Sequence, residues 1–136
     1  MPKLNQELAK KEITTWLDYK KIKPKKREEQ SESVEMLVEA FMDGDLVLNE
    51  ETFVLTQKLV WPLKDEDGKD SVMELNYKPR LRLADVKTKL TKVKTNDIQG
   101  MLLCYMSGLT QENSGLLATL DTEDYRLAQT ITSFFF

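Results

Sequence analysis

The chain has 136 residues, 40% of them hydrophobic and 32% charged, with a formal charge of −3. That is enough for one modest core, is too apolar for a disordered chain, and gives no overall electrostatic pull toward nucleic acid or an acidic membrane. The longest apolar run, "MLLCYM" at 101–106, is far too short to span a bilayer, the start "MPKLNQELAKK" has no signal-like apolar region, and the single cysteine agrees with a reducing compartment. A cytoplasmic protein is expected.

Neither Gly nor Pro interrupts the chain between Leu4 and Ile22, and Pro24 follows, which predicts a helix over 4–22. Its apolar side chains fall in two stripes, Ala9, Ile13, Trp16 and Leu17 on one side and Leu4, Leu8, Tyr19 and Ile22 on another. Either one stripe docks on the core and the other stays partly exposed, or the second binds a partner. The stretch "KPKKREEQSES" reads as a solvated, flexible linker, so residues 1–30 are expected to form a charged helical extension to a domain over 31–136. A second helix is marked by Ser31 or Ser33 as N-cap, by Val34, Leu37, Val38, Phe41 and Met42 at helical spacing, and by Gly44 past its end.

The period then changes to two. Phe53, Leu55, Leu59 and Trp61 share one strand face, interrupted by Gln57, and Met73, Leu75 and Tyr77 alternate with Val72, Glu74 and Asn76. Asp67-Gly68 between them is a turn signal, so a β-hairpin is predicted, extended to three strands if "DLVL" at 45–48 joins it. Helical patterns return at "ADVKTKLTKV" and at "NDIQGMLLCYMSGL", whose stripe is Ile98, Met101, Leu102, Tyr105 and Leu109 with Thr95 or Asn96 as cap. The last helix starts at Asp121, has Asp124 near the positive end of its dipole, and carries the stripe Leu127, Ala128, Ile131, Phe134 and Phe135. Phe136 falls on the side of Tyr125 and Thr132, where it either folds back or meets another chain. The fold class is α+β: a small hairpin or three-stranded sheet packed with a C-terminal bundle of about three helices, after an N-terminal helical extension.

Catalytic chemistry is hard to find. There is no histidine, the usual general base and zinc ligand. Cys104 lies within an apolar helix and reads as a small core residue. The five glycines form no phosphate loop, and the cluster Asp65, Glu66, Asp67 and Asp70 fails the calcium-loop spacing, with Gly68 fourth and Asn76 twelfth. The basic run Lys20 to Arg27 has no interleaved aromatics and precedes an acidic block, so nucleic-acid binding is not expected. No enzyme activity, cofactor or metal is expected, and the working surface is apolar.

Two stretches carry a resemblance. "VMELNYKPRLRLADVKTKL" is similar to the strand, basic-Pro and L-x-D-hydrophobic helix start of the tail assembly chaperones of long-tailed bacteriophages, especially the Mu-like contractile-tail group. "YMSGLTQENSGLLATLDTEDYRLAQTITSFF" resembles that family's C-terminal half: a helix ending at Gly-Leu-Thr, a helical turn, L-x-x-L-D-x-x-D-[FY], and a last helix closing on a Phe pair. Together they cover about residues 45 to 136, while the first 44 depart from the family pattern. The resemblance implies a noncatalytic protein of the host cell cytoplasm, not part of the mature virion. It would bind the tape measure protein, a long helical rod, and keep it soluble until tail tube protein polymerises around it. Trp16, Leu17, Tyr125, Phe134, Phe135 and Phe136 are the candidate partner-binding residues. The family also implies that a frameshifted longer form can exist, for which the terminal "SFFF" is a fitting slippage site, and a homo-oligomer is compatible with it. A structural subunit of the tail or baseplate and a cytosolic protein-protein adaptor are the alternatives.

Overall fold

The computed structural model describes residues 3–135. Helix α1 (Gln6–Tyr19) starts where the Asn5 side chain accepts from the backbone N–H of Leu8, a cap that satisfies one of the four free donors of the first turn. Its stripe Ala9, Ile13, Trp16 and Leu17 is buried, whereas Leu8 and Tyr19 on the other stripe are exposed. The expected flexible linker is instead helix α2 (Pro24–Glu29), with Pro at its first position. Lys, Arg and Glu are good helix formers, and a proline there loses only an N–H that would go unpaired anyway. Arg27 locks this turn to α1, donating through Nε to the carbonyl of Ile22 at 2.9 Å and pairing with Asp18 at 2.8 Å. Helix α3 (Ser31–Met42) follows with Gln30 at the cap position, so Ser31 and Ser33 lie inside the helix. It buries Leu37, Val38, Ala40 and Phe41, and Gly44 leaves it at φ +81°.

Strands β1 (Leu46–Leu48), β2 (Leu55–Lys64) and β3 (Asp70–Tyr77) form one antiparallel sheet in that order. Leu46 faces Gln57, and Leu55 faces Tyr77. The expected inward face holds for Leu55, Leu59, Leu75 and Tyr77, which are buried, but not for Trp61 and Met73, which are 57% and 55% exposed. The register between β2 and β3 shifts between Lys58 and Leu63: β2 takes five steps there while β3 takes two, from Glu74 to Val72, and the odd excess of three residues resets the two-residue alternation. Leu63 turns in and Trp61 turns out. Phe53 lies before the strand at φ +59°, with its ring stacked on Tyr19.

Helices α4 (Leu83–Leu90), α5 (Ile98–Thr110), α6 (Ser114–Leu117) and α7 (Thr122–Ser133) complete the chain. Asp85 begins α4 by accepting from the N–H of Arg82, a bond that holds its carboxyl below the usual carboxylate range, helped by nearby Lys78. The cap of α5 is Asp97, accepting from Gly100, rather than Thr95 or Asn96. The buried side of α5 is rotated from the expected stripe: Leu102, Met106 and Leu109 are buried, while Ile98 is exposed. Asp121 caps α7 as expected, accepting from the N–H of Glu123. Residues on both sides of position 30 share one core, in which Ile13 and Trp16 join Phe41, Leu55, Tyr77, Met106, Ile131 and Phe134.

Candidate protein-binding surfaces

Three of the six candidate residues meet in one knot. The Trp16 ring makes edge contacts with Phe134 at 5.7 Å and with Phe135 at 5.9 Å, which sets α1 against the end of α7. Trp16 is 1% exposed and Phe134 is also buried, so these two are spent on the chain's own core, whereas Leu17, buried too, lines an apolar groove between α1 and α3. Phe135 is half-buried, with the Lys20 ammonium 3.2 Å above its ring. Tyr125 lies apart from the knot. It is half-buried, its hydroxyl donates to Gln99 Oε1, and burial pushes its phenol above the ordinary range. Phe136 lies outside the described residues.

Apolar surface is offered elsewhere. Between α1 and α3 runs a groove of about 360 Å³, floored by Ile13, Leu17, Val34 and Val38 and flanked by Lys10, Arg27 and Glu35. Its floor follows from two helices whose apolar stripes converge without filling the space between them. At the hairpin, Val60, Trp61 and Met73 are exposed near the register shift. Strict alternation puts Val60 outward, as found, but places Trp61 and Met73 inward. The only sequence signal pointing to them is Gln57, a polar residue in an otherwise inward row.

Gln57 belongs to a buried polar clamp. Asp124, 3% exposed, accepts from the backbone N–H groups of Val60 at 3.0 Å and Trp61 at 2.9 Å. Gln57 donates through Nε2 to the Asp124 carbonyl at 3.0 Å, and the Tyr77 hydroxyl donates to Gln57 Oε1 at 2.6 Å. Burial, and next the Asp124 charge, push the Tyr77 phenol well above its ordinary value. A carboxylate that accepts two ladder N–H groups takes the place of a neighbouring strand at the bulge. The clamp therefore holds the bulge open and turns Trp61 outward.

A concavity of about 880 Å³ lies where α4, α5 and the turn before α6 meet, and is lined by polar and charged side chains including Lys78, Lys89 and Glu112. Cys104 lines it too but is buried. Burial pushes its thiol up, and its Sγ lies 3.5 Å from the Lys89 carbonyl, which favours the unreactive protonated form. No group of three metal-ligating side chains occurs among the described residues, and no helix among them is long and apolar enough to cross a membrane.

No known protein family matches this chain, and no curated protein or solved structure does.

Proposed function

We propose that this protein is a tail assembly chaperone of a long-tailed bacteriophage, which binds and shields the tape measure protein during tail morphogenesis without catalysis. The observation that supports binding of a helical partner is the α1–α3 groove, an apolar trough flanked by charges that suits a third, amphipathic helix; it lies in the first 44 residues, outside the stretch that carries the resemblance. Lys10 and Arg27 stand at the α1–α2 side and Glu35 on α3, so the occupant is a helix with acidic residues along one flank and a basic one along the other. Helical rods with such stripes aggregate when uncovered, and covering them requires contact area rather than reactive groups. The resemblance over residues 45 to 136 supplies the partner: a tape measure protein.

Co-expression with a tape measure protein, the long helical rod, is the test. The rod should stay in the soluble fraction only when this chain is present, and Val34→Asp, which puts a charge on the groove floor, should abolish that effect while leaving the chain folded. A rod whose solubility is indifferent to this chain refutes the reading. Recovery of this chain at fixed stoichiometry in purified particles favours a structural tail or baseplate subunit instead.

A further inference from the structure

The two sides of the sheet are finished differently. On the β1 side the backbone of β2 beyond Gln57 is closed: the N–H of Lys58 donates to the Asp45 carbonyl at 2.8 Å, and those of Val60 and Trp61 donate to the Asp124 carboxylate. The other side ends in β3. Among the described residues, no element but β2 bonds to the β3 backbone between Asp70 and Asn76, and the first cover comes from α5, where the Leu109 carbonyl accepts from the N–H of Lys78 at 3.0 Å. Lys58 bonds toward β1, so by alternation Leu55 and Gln57 bond toward Tyr77 and Leu75, and the backbone groups of Val72, Glu74 and Asn76 point to the free edge. Such an edge is a template for another strand. Met73 and Glu74, at its middle, are exposed.

The two ends of β3 carry opposite charge. The turn before it holds Asp65, Glu66, Asp67 and Asp70 against Lys64 and Lys69, and the segment after it holds Lys78, Arg80 and Arg82 with no carboxylate before Asp85. Lys78 lies 3.5 Å from Asp85, while Arg80 and Arg82 are exposed. A second copy laid antiparallel along β3 sets each acidic turn at the other copy's basic end, twice over, whereas a parallel strand would set like charge on like.

We propose that this chain forms a two-fold dimer in which β3 pairs antiparallel with β3 of a second copy, with Met73 on the axis. In this register the exposed Met73 packs on its own counterpart, and Val72 of each copy faces Glu74 of the other. Open backbone groups meet only in registers two residues apart, and a shift of two either way sets Glu74 on Glu74 or Asp70 on Glu74, which repel. The contact is isologous and therefore closes at two copies. It uses no residue of the α1–α3 groove and stands apart from the proposed function.

The test uses the full chain in sedimentation equilibrium over a range of concentrations, where the mass should approach twice 15.8 kDa. Two charge-reversed variants, Arg80→Glu with Arg82→Glu, and Glu66→Lys with Asp67→Lys, change exposed positions, and each alone should weaken self-association by at least about tenfold. Mixed one to one they should dimerise again, since every charged contact is then opposite in sign, and that recovery also shows both variants to be folded. Met73→Cys should form a disulfide between copies on mild oxidation, because a directly opposed pair without backbone bonds brings the two Cα atoms close enough, and Asn76→Cys should not. A wild-type chain that stays monomeric, a dimer indifferent to both reversals, a mixture that does not recover, or crosslinking no better at position 73 than at 76 overturns the proposal.

Discussion

At the scale of single residues, Asp124 matters most to the sheet. Removing its carboxylate with Asp124→Ala leaves the N–H groups of Val60 and Trp61 without an acceptor beside a buried helix start, which should cost about 3 kcal/mol in urea denaturation. The same change should alter the fluorescence of Trp61, the exposed one of the two tryptophans. Tyr77→Phe orphans only Gln57 Oε1 and should cost less, about 1–2 kcal/mol. Lys20 gives the molecule a pH dependence. Its folded value of about 7 lies below the ordinary 10.5, so between those two pH values the unfolded chain binds more protons and stability rises with pH. Below pH 7 both states are protonated and the full penalty of the buried charge remains. Lys20→Met should therefore remove the rise between pH 7 and 10 and stabilise the protein at pH 6 by about 1–2 kcal/mol after solvent screening, as followed by thermal melts in phosphate-free buffer.

At the scale of elements, much was legible because local chemistry decided it. The stripes of α1, α3 and α7, the Asp121 cap and the Asp67-Gly68 hairpin turn rest on neighbours within a few residues, and the structure places them where those patterns put them. The misreadings have a common cause in distant partners. Trp61 faces out because the strand bulges against an aspartate 63 residues later in the chain. Asp124 looked like a residue answering the helix dipole, since nothing local shows that its carboxylate reaches the sheet. Charge density alone makes the α2 segment look like a flexible linker, although its residues are strong helix formers and its one proline sits at a tolerated position. Gly108 shows the same limit. It belongs to no glycine motif, yet a Cβ there would stand 2.7 Å from Val86 Cγ1 and 3.3 Å from the Asp85 carbonyl. Gly108→Ala should push α4 off α5 and lower stability by about 1–2 kcal/mol despite the better helix propensity of alanine, with faster amide exchange confined to α4.

At the scale of the whole molecule, the candidate surface was legible as a kind of residue and not as a place. The sequence marks surplus aromatic side chains at both ends, and the structure spends Trp16 and Phe134 on each other. Trp16→Ala should therefore lose about 3–5 kcal/mol and unfold much of the population, which says little about binding. Trp61→Ser changes an exposed position, so its melting curve should stay close to wild type, whereas Val34→Asp, at a half-buried position packed against the core, should lower the midpoint while leaving the chain folded at the temperature of the binding assay. Under the proposed function, Val34→Asp alone should lose the partner, because Val34 lies in the groove and Trp61 does not. Equal loss from both variants would move the contact to the hairpin or spread it over both faces.

The contact between Trp16 and Phe134 joins residues 118 positions apart, so α1 is closed by residues translated long after it. At about 5–20 residues per second, the indole waits roughly 6–24 s on the ribosome before its ring partners are synthesised. During that interval α3, translated soon after α1, can cover part of the stripe, but the Trp16 ring lacks its native ring partners. Closure of α1 by the end of α7 thus waits until residue 134 is made, and a chain arrested before the closing aromatics would leave the Trp16 end of the stripe bare.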